Sequence, residues 1–323
     1  MNSINTNASA LTALQSLNQT NKMLNQTQSA IATGYRVASA SDNAAYWSIA
    51  TTMRSDNAAL SAVDDAMGLG IAKVDVATTG LDAAIDVTTE IKSKLIAARE
   101  PGVDRDKIQS GLDELKNQLT SIAESSGFNG ENWLQVDGSA AAADKSIVGS
   151  FKRTAGGEVS VTTVDVVVSN ITLIGVNNES LGILTKDIDA DALLDNATGT
   201  ADAYRLIDMG TGNSTQATGT VISVAAGTTD AELDAMIRVT DSIIEQITDA
   251  AADLGSTGQR VELQRDFVSN LMNSIEKGIS ELVDADLNEE STKLQALQAQ
   301  QQLGIQALSI ANSNTSNILA LFR

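Results

Sequence analysis

The stretch LSAVDDAMGLGIAKVDVATTGLDAAIDVTTEIKSKLIAA, residues 60–98, decides how the chain folds. Stepping by seven from Leu60 gives Leu60, Met67, Val74, Leu81, Thr88 and Leu95. The companion frame gives Val63, Gly70, Ala77, Ala84, Ile91 and Ala98. Ten of these twelve positions are apolar, Thr88 and Gly70 being the exceptions. A seven-residue repeat split in this way lays one apolar stripe along a helix, the pattern of a coiled-coil seam. Pro101-Gly102 ends it, because Pro cannot continue a helix and Gly tolerates turn dihedrals.

Two further runs keep the same spacing. Ile108, Leu112, Leu115, Leu119 and Ile122 form a second helix, with Asp104 as N-cap and Gly127 as its stop, so the first two runs read as a helical hairpin. The third run passes through Leu233, Ile237, Ile244, Ile247, Ala251, Leu254, Val261, Val268, Met272, Ile275, Ile279 and Leu282. Some 50 residues at 1.5 Å each span roughly 75 Å, longer than an ordinary globular helix, so a rod is expected. Gly255-Ser256-Thr257-Gly258 interrupts this run, as a hinge or as a soft spot in one helix. Between the runs, residues 141–229 change texture. Val159-Ser160-Val161-Thr162-Thr163-Val164-Asp165-Val166 alternates β-branched residues, and Gly156-Gly157, Gly199, Gly210, Gly212 and Gly219 punctuate the stretch. This reads as a small β-rich insert.

Composition removes whole classes of chemistry. The 323 residues hold no Cys and no His. Thiolate chemistry, disulfides, a Ser-His-Asp triad and the HExxH metalloprotease motif are therefore excluded. A formal charge of −20, from 21 Lys+Arg against 41 Asp+Glu, opposes nucleic-acid binding. Two carboxylates would suffice for a glycosidase, but 3% aromatic residues supply few sugar platforms. No segment approaches the 18 or so consecutive apolar residues that a membrane span needs. The opening MNSINTNASALTALQ has neither a basic nor an apolar region of a cleavable signal, so none is expected.

The two ends are alike and unlike the middle. Residues 1–40 contain no acid and only Lys22 and Arg36, and every acidic residue lies between Asp42 and Glu290. The N-terminal seam reads Ala10, Leu14, Leu17, Asn21, Leu24, Gln28, Ile31, and the C-terminal one Leu287, Leu294, Leu297, Leu308, Ala311, Ile318, Phe322. Ordering such a helix costs about 1–2 kcal/mol per residue. Five or six Leu/Ile anchors return about 1.5–3 kcal/mol each, so an isolated end is marginal. The ends either order on self-association or pair within one chain as an ordinary bundle. Uncharged flanks permit close approach without desolvating charge, and polar seam residues can fix register.

Several local stretches resemble bacterial flagellin. These are Ile4-Asn5-Thr6-Asn7; Ala40-Ser41-Asp42-Asn43-Ala44-Ala45 with Ile49-Ala50; Phe128-Asn129-Gly130; Asp284-Ala285-Asp286 with Glu289-Glu290-Ser291 and Lys293-Leu294; Gln306-Ala307-Leu308-Ser309-Ile310-Ala311-Asn312; and the ending Asn317-Ile318-Leu319-Ala320-Leu321-Phe322-Arg323. They cover roughly 1–140 and 230–323, in the family's order. The resemblance implies a mainly α structural protein, not an enzyme, with a coiled-coil rod built from both ends. Residues 1–42 and 285–323 would form the inner coiled coil of a filament, 43–140 and 230–284 a helical rod, and 141–229 a surface insert. Inner interfaces would use Leu11, Leu14, Leu17, Leu24, Ile31, Leu294, Leu297, Leu308, Ile318 and Phe322. The rod seam would use Leu60, Met67, Val74, Leu81, Leu95, Leu112, Leu115, Leu119, Ile244, Ile247, Leu254, Val261, Val268 and Ile275. No cofactor, metal or catalytic residue is implied. Partners would be further copies or related flagellins, a chaperone on the C-terminal helix, and cap and hook-junction proteins. The location would be extracellular, in the flagellum. The nearest rival is a hook–filament junction protein; an enzyme in the insert and a helical adaptor are further alternatives.

Some details depart from the family. Asn43 replaces an Asp, and Tyr46-Trp47 replace Gly-Leu at the junction of arm and rod. Glu90-Ile91-Lys92-Ser93-Lys94-Leu95 and Gln28-Ser29-Ala30-Ile31-Ala32-Thr33-Gly34-Tyr35-Arg36-Val37 diverge from the stretches that host flagellin receptors sense, which implies evasion of at least one. Other motifs read as structure. Asp187-Ile188-Asp189-Ala190-Asp191 starts like a calcium loop but has Ala192 and Thr198 where Gly and Glu belong. Gly210-Thr211-Gly212 reads as a turn, and Asn7-Ala8-Ser9 and Asn170-Ile171-Thr172 as chance triplets. Tyr46, Trp47 and Trp133 read as core or interface anchors, and Arg99, Arg105, Arg260 and Arg265 as partners for acids on neighbouring copies.

Overall fold

A computed structural model describes residues 7–138, 140–154, 156–194, 202–210 and 217–320, the last seven by backbone alone. Five helices are described: α1 (Ala8–Thr33), α2 (Ala44–Ala98), α3 (Arg105–Ser125), α4 (Asp230–Val283) and α5 (Leu287–Ala320). Nine short strands lie between α3 and α4: β1 (Gly127–Phe128), β2 (Glu131–Asn132), β3 (Gln135–Val136), β4 (Lys145–Arg153), β5 (Val159–Val166), β6 (Ile174–Gly175), β7 (Ile188–Asp189), β8 (Ala203–Arg205) and β9 (Thr220–Val221). The expected class, mainly α with a small β-containing insert, is the observed one. The chain divides into two compact units, residues 60–270 and residues 1–59 with 271–323.

The unit of residues 60–270 is built on the α2 repeat. All twelve heptad positions from Leu60 to Ala98 are buried, including the two exceptions. Thr88 satisfies its hydroxyl by donating to the Ala84 carbonyl at 2.6 Å. Gly70 leaves room for Ile147 of β4, which a Cβ there would overlap. Within this unit α4 runs antiparallel to α2. Gly258 faces Val74, and ion pairs join Arg265 to Asp64 at 3.0 Å, Arg99 to Asp234 at 2.8 Å and Lys92 to Asp241. Arg105 lies 3.6 Å from Asp230. Arg99, Arg105 and Arg265 thus find acids within their own chain, which corrects the expectation of partners on neighbouring copies: the antiparallel register already sets opposite charges side by side.

Helix α3 begins as expected at Asp104, whose side chain accepts from the Lys107 amide, and buries Leu112, Leu115 and Leu119. It ends at Ser125, just before Gly127. Helix α4 starts with a capping box: the Thr229 amide donates to Glu232 at 2.6 Å, and the Glu232 amide donates back to the Thr229 hydroxyl at 3.3 Å. The two amide and hydroxyl bonds from Thr229 hold the Glu232 carboxyl below its ordinary range. Helix α4 continues unbroken through Gly255–Gly258, so those residues are a soft spot within one helix. Leu233, Ile247, Leu254, Val261 and Val268 are buried as the periodicity predicts. Between Leu233 and Leu254, however, the fully buried companions are Met236, Ile243 and Ala250, while Ile237, Ile244 and Ala251 are half-buried. The strand-bearing segment packs beside this part of α4, where Ala250 and Asp253 share a cavity wall with Ser169, Asn170 and Ile183, and so widens the buried stripe.

The insert is held by polar contacts as much as by strands. β4 and β5 pair antiparallel from Lys145↔Val166 to Arg153↔Val159, with a bulge between Val148 and Ser150. The turn between them uses Gly157 at φ +86°. β3 pairs with β6 in parallel, and β7, β8 and β9 form a three-stranded sheet. The fully buried Glu179 carboxylate accepts from the amides of Met209 at 3.0 Å and Ala217 at 2.8 Å. The buried Arg205 donates to the carbonyls of Ala217 and Gly219. Asp187 accepts from the amides of Thr218 and Gly219, and Asp189 from that of Asp191, so these carboxylates of the acidic run serve backbone amides. Gly210 sits in a turn at φ +85°; Thr198, Gly199, Thr211 and Gly212 lie outside the described residues.

Candidate assembly surface

The unit of residues 1–59 and 271–323 has a different texture. Asn7 caps α1 by accepting from the Ala10 amide, and Gly34 ends it in the left-handed region at φ +74°. Helices α1 and α5 pack antiparallel. The Asn7 amide group donates to the Ala311 carbonyl at 2.9 Å, Gln301 donates to Asn21 at 2.7 Å, and Leu17 meets Gly304. The pairing therefore lies within one chain and uses polar residues to set its register.

This seam is thin. α1 buries only Thr20, Leu24 and Thr27, and the described side chains of α5 bury only Leu297. Of the expected interface residues, Leu24 and Leu297 are buried, and Leu17, Ile31, Leu294 and Leu308 are half-buried. The Ile318 side chain and Phe322 lie outside the described residues, as do Ile4-Asn5-Thr6. Leu14 and Gln28, placed in the seam by periodicity, are exposed, and Thr20 and Thr27 stand there instead. The difference has a local cause: Thr20 returns its hydroxyl to the Ser16 carbonyl at 3.0 Å, so its methyl group can face the partner helix.

A large apolar surface is left uncovered. Leu11 is 60% exposed, Leu303 64%, Ile305 55% and Ile310 65%. Leu14, Tyr46, Trp47, Ile49 and Leu287 are also exposed, whereas Trp133 is buried. Scattered exposed leucines are ordinary, but Leu11, Leu14, Leu303, Ile305 and Ile310 all lie on α1 and α5, which carry few charges, and this marks those helices as a candidate interaction surface.

The junction between the helices is tied more firmly. Residues 34–37 lie against the end of α4: the Arg36 and Val37 amides donate to the Val283 carbonyl, and the Ala285 amide donates to that of Gly34 at 2.9 Å. The Arg36 guanidinium donates to the carbonyls of Glu281 and Leu282, which a helix C-terminus otherwise leaves unmet. The Asp42 carboxylate accepts from the Ser39 amide at 2.9 Å, the Ser39 hydroxyl and the Ala38 amide. Those bonds, led by the Ser39 amide, hold its pKa below the ordinary Asp value. Asn43 caps α2 by accepting from the Ala45 and Tyr46 amides, so the departure from Asp preserves the cap. Asp286 caps α5 through the amides of Asn288 and Glu289. Val37, Ala50, Ile279 and Val283 form a small core with Met53, Ile275 and Leu282. Motif matching pointed to Asp42 and Asp286; the carbonyl-capping role of Arg36 has no sequence signature.

The structure gives the burial of the residues that the sequence assigns to a rod seam. Leu60, Met67, Val74, Leu81, Leu95, Leu112, Leu115, Leu119, Ile247, Leu254, Val261 and Val268 are buried; Ile244 and Ile275 are half-buried. Among the described residues no group of three or more Asp or Glu could hold a metal ion, and no helix is long and apolar enough to cross a membrane.

Comparison with known proteins agrees with this arrangement. The family model for the bacterial flagellin N-terminal helical region matches residues 4–139, and that for the C-terminal helical region matches residues 237–322. Flagellin C of Rhizobium meliloti (strain 1021) is 56% identical over the full length of both chains. Flagellin A of the same strain is 44% identical, again with both chains fully covered. The flagellin of Brucella melitensis biotype 1 is 37% identical, also over both full lengths. The two family models bracket the insert and meet the helices on either side of it. The chain belongs to the bacterial flagellin family.

Proposed function

We propose that this flagellin polymerises through the α1–α5 surface into the helical filament of the flagellum, and that its ends gain most of their order when neighbouring copies cover them. The observation that carries this reading is the exposed set Leu11, Leu14, Leu303, Ile305 and Ile310 on helices nearly free of charge. Burying a leucine or isoleucine contributes about 1.5–3 kcal/mol, so covering five of them would turn a marginal pair of helices into a stable one.

In this reading residues 1–42 and 285–323 line the inside of the filament, 43–140 and 230–284 form the rod, and 141–229 faces outward. The inner contacts are Leu11, Leu14, Leu17, Leu24, Ile31, Leu294, Leu297 and Leu308, continued by Ile318 and Phe322. The protein acts as a structural polymer without enzymatic activity. It leaves the cell through the growing organelle. A cytoplasmic chaperone shields α5 before export, and cap and hook-junction proteins bound the polymer. Divergence at 28–37 and 90–95 weakens recognition by at least one host receptor, which a receptor-reporter assay would refute by showing full potency.

Seeded polymerisation tests the core of the proposal. The full chain, a version lacking residues 1–40 and one lacking residues 291–323 are followed by light scattering and negative-stain microscopy. Elongation by the full chain alone supports the reading. Elongation by either truncated chain contradicts it. A full chain that stays monomeric on seeds favours the junction or adaptor alternatives.

A further inference from the structure

A cavity of about 380 Å³ opens beside the first half of α4, within the unit of residues 60–270. That size falls at the lower end of the range of about 300–1,000 Å³ that small-molecule sites occupy. The buried Val136, Ile183 and Ala250 give it an apolar lining. Its charged lining consists of Lys186, Asp249 and Asp253. Lys186 is set by a turn in which its amide donates to the Gly182 carbonyl at 2.9 Å. Asp249 and Asp253 are four residues apart on α4 and therefore share a helix face.

Lys186 differs from the other lysines of this unit. Lys73, Lys92, Lys94, Lys107 and Lys145 each pair with a carboxylate, Lys116 donates to the Ile222 carbonyl, and Lys152 is exposed. Lys186 is half-buried, and among the described residues no hydrogen bond or ion pair reaches its ammonium. Burial holds its pKa below the ordinary Lys value, with no carboxylate near enough to raise it again. Asp249 and Asp253 make no ion pair among the described residues either, although like charges at this spacing repel. Opposite charges thus line one cavity without meeting. The ammonium has given up part of its hydration, and no protein group returns it.

We propose that this cavity binds a free α-amino acid with a small aliphatic side chain. The ligand carboxylate accepts from the Lys186 ammonium, the ligand ammonium donates to Asp249 or Asp253, and the side chain rests against Val136, Ile183 and Ala250. A simple anion would satisfy Lys186 but meet two carboxylates. A simple amine would suit the carboxylates but leave Lys186 without a partner and add a like charge beside it. A ligand with separated charges answers both. The site stands apart from the filament reading, because it lies in the unit of residues 60–270 and not on α1 or α5.

Isothermal titration calorimetry on the full-length soluble chain tests the site, with L-valine as the probe. Isovalerate keeps the carboxylate and the apolar body of L-valine without its ammonium; isobutylamine keeps the ammonium without the carboxylate. The expected result is saturable binding of L-valine, at least about tenfold tighter than that of either half. Lys186→Met retains an aliphatic stem and is expected to weaken L-valine binding about tenfold or more, with unchanged helicity. Asp249→Asn combined with Asp253→Asn is expected to weaken L-valine as well, without weakening isovalerate. No saturable heat with L-valine would overturn the proposal. Isovalerate binding as tightly as L-valine would reduce the cavity to an anion site and overturn it too, as would unchanged L-valine affinity in Lys186→Met. If Lys186→Met fails to fold, acetylation of the native chain, read by peptide mass spectrometry, serves instead. L-valine is expected to slow acetylation of Lys186 relative to the exposed Lys152, and an unchanged ratio would overturn the site.

Discussion

Helices α1 and α2 are both amphipathic, yet they are stabilised in opposite ways. In α2, twelve consecutive heptad positions are buried, and the charges that flank them pair within the chain. In α1, two of the three buried residues are threonines, the register is set by Asn21 and Gln301, and Leu11 and Leu14 face water. A seam of the first kind completes itself. One of the second kind sets alignment but leaves apolar area for another molecule to cover. The same chain therefore holds a body whose seam closes within the monomer and ends that leave apolar side chains exposed.

The sharpest way to break this comparison is to make the same change in both helices. Leu81→Ala in α2 removes a fully buried side chain and is expected to cost about 2–5 kcal/mol, read as a lower denaturant midpoint of the monomer. Leu24→Ala in α1 is expected to leave that midpoint almost unmoved and to raise the critical concentration for polymerisation instead. Equal shifts in midpoint would erase the distinction. Next in size is Gly34→Ala. Its φ of +74° costs an L-residue about 1–2 kcal/mol. The strain falls between α1 and the end of α4, so polymer yield is expected to drop while the α2 seam melts as before, followed by circular dichroism.

Acid is expected to act on the junction. The Asp42 pKa is lowered in the folded chain, so its contribution is fully present above the ordinary Asp value of about 3.9 and is lost as pH falls through the lower folded value. Asp42→Asn should flatten the fall in stability below pH 4, measured by denaturant titration at a series of pH values. The smallest monomer effect belongs to the exposed pair Arg265–Asp64. Asp64→Asn is expected to cost no more than about 1 kcal/mol. Repulsion between acidic copies is a different matter. Shortening the Debye length from about 30 Å at 0.01 M to about 10 Å at 0.1 M salt should speed elongation. Elongation that slows steadily over that range would contradict the electrostatic account.

The α2 seam could be read from sequence because burial there follows a strict repeat of large apolar residues, and even Thr88 and Gly70 kept their places. In α1 and α4 the repeat found one line of the seam and missed its companion. Both helices bury residues three after the shared frame, Thr20 and Thr27 in one and Met236 and Ile243 in the other, where the pattern favoured those four after. Threonine looks polar in a sequence, but a helix can absorb its hydroxyl, and the width of a buried stripe depends on what packs beside it. Long-range polar contacts left no trace at all. Nothing local links Arg36 to the carbonyls of Glu281 and Leu282, or Glu179 to Met209 and Ala217. The assembly surface was legible in part: the absence of acid from the first 40 residues and the leucines at 11 and 14 pointed to it, whereas the exposure of Leu303, Ile305 and Ile310 emerged only from the pairing of α1 with α5.

Amide hydrogen exchange, measured on the soluble chain and on its filaments, tests the central claim most directly. The account predicts strong protection of the α2 amides between residues 60 and 98 in both forms. It predicts weak protection of α1 and α5 in the soluble chain and strong protection of both in the filament. If α1 and α5 exchange as slowly as α2 while the chain is still monomeric, the ends are finished without company, and the account fails.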